Sequence, residues 1–506
     1  MTEKWKKCLE LVLKDYCNST ALHGYKYLVK TKRPKLEKII WSAILISMLS
    51  VTLYVFNLML DDYNNKATVT VLETSKWHVH NVLFPGIAIC DVNKISRKRA
   101  MDLSKEMFQV TNISQQELYD AMKWFGKLYD FDVNNIQDVN LLQRALEKFT
   151  NSRNNYESIV NALLMLAPSC EEILVKCFWL GRERNCSEMF RTRQTMDGYC
   201  CTFNYKKRYP IDTNSQLYAG FSFKSKNQLY FADSGIDHGL TVVVRSQPDD
   251  YYYPVSSTEG LNVKLFNSLE YPDAQSGGLI DSFFPLGHEV FMQVSATTVR
   301  AMPNVEQIPI HQRDCIFPHE GETVFDPSFY SFSDCLAECK LKSILALCEC
   351  VPFFMPVLKS YKFSKQICTL QDISCLNKYR EKWMNIVPSI KVEELDSEMQ
   401  NAVDCKHCLP SCSYTTYSVT TQYIPFVNLT NKYTGNLNQN EHSILHIYSD
   451  TEYTMLYTTD ILYYWFDILS NFGGACSLFI GFSLISIVEF VYFLTIRLYS
   501  KLMSDS

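Results

Sequence analysis

Glu489 is the single charge in an otherwise uncharged run from Ile468 to Ile496 (ILSNFGGACSLFIGFSLISIVEFVYFLTI). A carboxylate near the centre of a membrane-inserted helix costs about 2.5–3.5 kcal/mol on insertion scales, so such groups face a bundle interior or a water-filled path. The plain alternative is a side chain close to the inner interface that reaches water by itself, since Arg497 follows soon after. Upstream stand Gly473, Gly474, Ala475, Gly481, Ser483 and Ser486, small residues that let helices approach closely and expose backbone carbonyls. Small residues also build ordinary helix contacts in lipid, so Gly481 and Ser483 alone decide nothing. With Glu489 eight residues beyond Gly481, they describe a narrow oxygen-lined constriction followed by a cation-attracting ring. A chain with two spans cannot enclose such a path alone, so the reading requires several copies around an axis.

The elements that must position these groups begin with a second uncharged run, the 22 residues from Ile39 to Leu60. As a helix it rises about 33 Å, enough to cross a bilayer. A signal peptide would have a shorter apolar core ending at small residues, whereas this run ends in Asp61 and Asp62. Lys4, Lys6, Lys7, Lys14, Lys26, Lys30, Lys32, Arg33, Lys35 and Lys38 precede it, and Arg497 and Lys501 follow the later run. The positive-inside rule therefore puts both termini in the cytoplasm and the region between outside. The expected divisions are a cytoplasmic segment 1–38, a first span 39–60, an outer domain 61–460, a second span 461–496 and a cytoplasmic tail 497–506.

Cysteine parity agrees with that topology. Of 19 cysteines, Cys8, Cys17 and Cys476 fall in cytoplasmic or membrane segments, and the sixteen that remain lie outside. An even number in an oxidising compartment favours eight disulfides. Zinc is the rival at Cys405-x-x-Cys408 and Cys348-x-Cys350, with His407 and His319 as further ligands, but the outer location favours disulfides and no metal. The sequons at Asn112, Asn185 and Asn428 are candidate glycosylation sites.

The composition, 47% hydrophobic and 20% charged with a net charge of −5, excludes a disordered chain and a nucleic-acid binder running on bulk positive charge. No fixed-period repeat divides the outer region, which reads as one compact α+β domain with largely antiparallel sheet. Ser114 to Tyr129 places Leu118, Met122, Phe125 and Leu128 on one helical face, and Asn140 to Phe149 repeats the spacing. Gly239 to Val244, Gly260 to Phe266 and His288 to Val294 read as strands. The cysteine-rich stretch 315–412 is expected to hold a helix capped by Ser333, with Cys335 and Cys339 on one face, and a second helix near Val392 to Val403. The chain contains no Gly-x-Ser-x-Gly elbow, His-Glu-x-x-His helix or P-loop, so it is not read as an enzyme, and no cofactor is expected.

Several motifs then stand in one order: His23-Gly24, Phe84-Pro85-Gly86-Ile87-Ala88-Ile89-Cys90, Gly198-Tyr199-Cys200-Cys201-Thr202-Phe203-Asn204, Cys335 with Cys339, and Cys348 with Cys350. Cys408-Leu-Pro-Ser-Cys412 and the stretch from Leu469-Ser-Asn-Phe-Gly473 through Gly481-Phe482-Ser483 to Glu489 complete the series. In these residues the whole chain resembles the degenerin / epithelial sodium channel / acid-sensing ion channel family. Phe482 in the middle of the Gly-x-Ser motif makes it most like the insect pickpocket branch.

The resemblance implies a membrane protein with two transmembrane helices and a large disulfide-rich ectodomain of finger, thumb, palm and knuckle parts. It implies a ligand- or stimulus-gated homo- or heterotrimer in the plasma membrane that conducts sodium and is blocked by amiloride, with no residue selecting the ligand or stimulus. By position, Gly481, Phe482 and Ser483 match the selectivity filter, and His23 and Gly24 match a gating motif. Ser470 matches the position where bulky side chains hold family channels open, and Ser477 matches an amiloride contact. The implied disulfides are Cys90–Cys200, Cys177–Cys186, Cys315–Cys412, Cys335–Cys408, Cys339–Cys405, Cys348–Cys375 and Cys350–Cys368, which leaves Cys170 and Cys201 to bridge each other. Arg313 stands two places before Cys315, where acid-sensing members carry an aromatic residue just before the cysteine, and this speaks against their proton-gating coupling. The other readings are a membrane-tethered enzyme and a disulfide-rich receptor or accessory subunit that does not conduct alone.

Overall fold

The computed structural model describes every residue except 1, 31–33, 66, 133–138, 154–157, 208–228, 322–328, 356–366, 389–398, 426–432, 434–440 and 505–506. The chain forms two compact units, one of Val71–Ala301 with Asp314–Thr458, the other of Met1–Thr70, Met302–Arg313 and Thr459–Ser506.

The larger unit is built on two sheets. One has the strand order Thr68–His78, Tyr453–Ile461, His288–Ala301, His442–Ser449, Leu240–Arg245, Leu174–Trp179 and Arg182–Arg184, with Tyr414–Pro425 also paired to His288–Ala301. The pair His288–Ala301 and His442–Ser449 is parallel, with Val290 opposite Leu445, and the paired neighbours Leu240–Arg245 and Tyr414–Pro425 run antiparallel. His442–Ser449 is buried along its whole length, as a central strand must be, whereas Tyr414–Pro425 alternates exposed and half-buried residues.

The five-stranded sheet runs Phe190–Thr195, Gly198–Phe203, Gly86–Asp91, Gly260–Phe266 and Ile280–Pro285. It joins two of the sequence motifs: Ile87 lies opposite Phe203 and Ile89 opposite Cys201, and the Asn204 amide donates to the Phe84 carbonyl at 2.6 Å. Phe84 meets Trp179 edge-on at 4.9 Å inside a core that also holds Phe203 and Phe231.

The helical expectations hold in their faces and differ at their ends. Leu118, Met122, Phe125 and Leu128 are all buried, but Leu118 belongs to the helix Gln115–Ala121, Phe125 and Leu128 to the helix Lys123–Asp130, and Met122 lies between the two. The break falls at Met122, whose N–H is shared between the carbonyls of Leu118 and Tyr119. Val139–Arg153 buries Leu142, Ala145, Leu146 and Phe149.

The cysteine-bearing helix is Phe332–Cys348, and its cap is Ser331, not Ser333. The Ser331 hydroxyl accepts from the Asp334 N–H at 3.2 Å, while the Ser333 hydroxyl is used inside the core, donating to the Tyr271 carbonyl at 2.5 Å. The helix expected near Val392 to Val403 lies largely outside the described residues, as does Asn428.

Eight disulfides tie this unit: Cys90–Cys200, Cys170–Cys201, Cys177–Cys186, Cys315–Cys412, Cys335–Cys408, Cys339–Cys405, Cys348–Cys375 and Cys350–Cys368. Cys335 and Cys339, one helical turn apart, reach the neighbouring cysteines Cys408 and Cys405. His407 lies beside Cys335 and Cys408, but their sulfurs are bonded to each other and offer zinc no thiolate.

Buried charges are paired here. Lys340 meets Asp273 at 2.5 Å, and Lys207 meets Asp334 at 2.5 Å, all four buried. Near the second pair, burial and then the Asp334 charge push the Glu270 carboxyl up to about 7.

The smaller unit is helical. Lys35–Asn65 is one continuous helix, long and apolar enough to cross a membrane. The stretch 461–496 is not one helix. Its first residue still ends the strand Tyr453–Ile461, helix starts at Trp465, and Trp465–Ile480 meets Leu484–Met503 at a 64° bend. A π-helical turn, Phe493–Arg497, lies within the second piece. Arg313 is buried in this unit, and its guanidinium donates to the carbonyls of Glu306 and Ile308, closing the turn before it.

Candidate functional site

Gly481 breaks the long uncharged run. Its φ of 74° is left-handed, a conformation that glycine adopts without the steric cost of a Cβ. Its N–H bonds the Ser477 carbonyl at 3.0 Å and the Phe482 N–H reaches the Cys476 carbonyl at 3.2 Å, so the helix Trp465–Ile480 ends there with its carbonyls turned toward the break. That end is the negative pole of the helix. Ser483 then starts the next helix, Leu484–Tyr492: its hydroxyl accepts from the Ser486 N–H, and the Ser486 hydroxyl accepts from the Ser483 N–H at 3.2 Å. Ser483 is exposed, and Gly481 and Phe482 are half-buried.

Ser470, Gly473, Gly474 and Ser477 recur at i, i+3, i+4 and i+7, so they share one face of Trp465–Ile480. All four residues are exposed, and a Cβ built on Gly473 or Gly474 would meet nothing within 4 Å. Phe472 and Cys476, on a different face, turn inward: Phe472 packs on Phe56 of Lys35–Asn65 with ring centroids 4.8 Å apart, and Cys476 is buried. The small-residue stripe is thus left open by the packing of the two helices.

The N-terminal segment reaches the break. The His23 N–H donates to the Ile480 carbonyl at 2.9 Å, and the His23 ring lies where a Cβ on Gly481 would meet it at 2.8 Å. Gly24, with φ 82°, turns the chain back, and a side chain there would press on Leu45 and Trp41 at 3.2 and 3.4 Å. Tyr27 stacks on Trp41 at 4.4 Å. The His-Gly motif is therefore wedged between Lys35–Asn65 and the Gly481 turn.

Glu489 is half-buried, and its carboxylate accepts from the Thr20 hydroxyl at 3.5 Å. The helix Thr2–Ser19 leads into this contact. Its Tyr16 sits edge-on to both Phe490 and Phe493 at 5.6 Å, and Cys8 and Val12 pack on Leu498. Lys501 and Arg497 meet Asp15 at 3.0 and 3.8 Å.

Thr20, Tyr16, Trp41 and Asp15 are participants that motif reasoning does not single out. The one signal for them is the i, i+4, i+8 recurrence of Cys8, Val12 and Tyr16 on a helix. In the larger unit, Asn112 ends the helix Arg97–Thr111, and Asn185 caps Cys186–Met189 while accepting from the Ser187 hydroxyl of its own sequon at 2.9 Å.

The sequence profile of the amiloride-sensitive sodium channels matches residues 16–493. Sodium channel protein Nach of Drosophila melanogaster is 25% identical over 492 residues, covering 96% of this chain and 87% of its own length. Pickpocket protein 28 of the same fly is 23% identical over 519 residues, covering 96% and 78%. Bile acid-sensitive ion channel of Mus musculus is 23% identical over 495 residues, covering 95% and 87%. With its ordered motifs, its eight disulfides and a profile match over most of its length, the chain belongs to the amiloride-sensitive sodium channel family, on the insect pickpocket branch of the degenerin / epithelial sodium channel / acid-sensing ion channel proteins.

Proposed function

We propose that the protein is a subunit of a sodium-selective, amiloride-sensitive channel of the plasma membrane, a homo- or heterotrimer with both termini cytoplasmic and two spans per chain. Lys35–Asn65 is the first span, and the broken helix from Trp465 onward is the second. Relatives named as sodium channels and as an ion channel support conduction, and the family is one of channels, not enzymes.

The observation that carries the reading is the open face of Trp465–Ile480. Ser470, Gly473, Gly474 and Ser477 turn away from the packed Phe472, toward what three copies would enclose. Below that stripe, Gly481, Phe482 and Ser483 form the narrow filter. There, backbone carbonyls and the Ser483 hydroxyl replace part of an ion's hydration shell. Glu489 follows as a ring of carboxylates that attracts cations and repels anions. His23 and Gly24 brace the filter turn from the cytoplasmic side, and movement of that segment is the means by which gating reaches the filter. Ser477 is the amiloride contact, and Asn112, Asn185 and Asn428 carry glycans on the outer domain.

The test is current recording from cells expressing the chain with Ser470 replaced by Val or Phe, alone and with related subunits. A sodium current blocked by amiloride is expected. Silence from protein shown to be on the surface, across partners, would contradict conduction and favour a receptor or accessory role.

A further inference from the structure

Away from the Gly481 break, Lys35–Asn65 and the start of the helix Trp465–Ile480 leave a cavity of about 150 Å3 between them. Phe56, Met59 and Phe472 form its apolar wall, with the two phenyl rings 4.8 Å apart and inclined at 56°. Asp62, Tyr463 and Asn471, whose side chains carry a carboxylate, a phenol and an amide, line the same space. Among the described residues that line it there is no lysine, arginine or histidine.

These features select a ligand by chemistry. An apolar cavity of this volume accommodates a benzene-sized ring, and paired phenyl groups hold a third ring by edge or face. A carboxylate has two oxygens and several lone pairs, so Asp62 accepts an ammonium beside any other partner it has. Phenol and phenyl faces add attraction for a cation, and a wall without positive charge gives an anionic head nothing to pair with. We propose that the cavity binds small arylalkylammonium ions, the ring against the Phe56–Phe472 pair and the ammonium at Asp62. The site lies within one chain and does not depend on the conduction reading, so its test does not need current.

The experiment is calorimetric titration of the purified full-length protein in phosphatidylcholine nanodiscs with phenethylamine, 2-phenylethanol and 3-phenylpropionate. Phenethylamine is expected to bind at least tenfold more tightly than the alcohol, and the carboxylate not to bind. Asp62→Asn should bring the amine to the affinity of the alcohol, and Met59→Trp, which fills the cavity, should abolish binding at an unchanged melting temperature. Equal affinity for all three probes would mean that the cavity holds only apolar matter such as a lipid chain, and would overturn the proposal. So would full binding by Met59→Trp or none by the wild type. If Met59→Trp does not fold, the amine-to-alcohol ratio of Asp62→Asn decides.

Discussion

The imidazole of His23 lies so close to the backbone of Gly481 that a Cβ added there would meet the ring at 2.8 Å, while the His23 N–H holds the Ile480 carbonyl at 2.9 Å. Two motifs at opposite ends of the chain thus form one joint at the break in the second long helix. On our proposal this joint is where gating meets the filter.

Gly481→Ala tests the joint. The substitution forces a side chain into a left-handed turn, costing roughly 1–2 kcal/mol, and into the His23 ring. In the Ser470→Phe background, current should fall at least tenfold with surface protein unchanged. Adding His23→Ala, which removes the ring but not the backbone bond, should restore part of it. Wild-type current from Gly481→Ala would show that the contact does not matter to conduction.

Glu489→Gln keeps an oxygen for the Thr20 hydroxyl and removes the charge. Single-channel sodium conductance should fall several-fold at low ionic strength, and the difference should shrink in concentrated salt, where the carboxylate is screened. Equal conductance at all salt concentrations would move Glu489 off the ion path.

Glu270 gives a pH-dependent stability. Its carboxyl titrates near 7 in the folded protein against an ordinary value of 4.5, because burial and the Asp334 charge disfavour ionisation. Between those values the folded protein holds a proton that the unfolded chain has released, so stability falls as pH rises from about 4.5 to about 7. Glu270→Gln removes that loss while keeping an acceptor for the Asn267 amide, which donates at 2.8 Å. The variant should melt above the wild type at pH 8 and with it at pH 4. Burial also raises Asp91, to about 6, but Asp91 is present in both proteins and cancels in the comparison.

Much of the larger unit is legible because its signals are local. Leu118, Met122, Phe125 and Leu128 declare their common face by spacing alone, and Cys335 and Cys339 declare theirs. The break at Met122 is not legible, since a bifurcated hydrogen bond leaves no trace in periodicity. Hydropathy reads Ile468 to Ile496 as one continuous span because an average over apolar residues carries no φ angle, and the turn at Gly481 is a matter of φ. The Ser331 cap is missed for a different reason. Ser331 and Ser333 are equal candidates by type, and only the packing of Tyr271 against Ser333 decides between them. The contacts of Thr20 with Glu489 and of His23 with Ile480 join residues remote in sequence, where neither spacing nor propensity has any reach.

Ser483 shows whether ions pass through the Gly481–Ser483 break. The bi-ionic reversal potential for sodium against potassium, recorded in the Ser470→Phe background, should be near wild type for Ser483→Thr, which keeps the hydroxyl and the helix cap. For Ser483→Leu it should shift toward potassium, or current should vanish with protein still at the surface. An unchanged sodium preference in conducting Ser483→Leu channels would remove the Gly481–Ser483 break from the ion path and contradict the account.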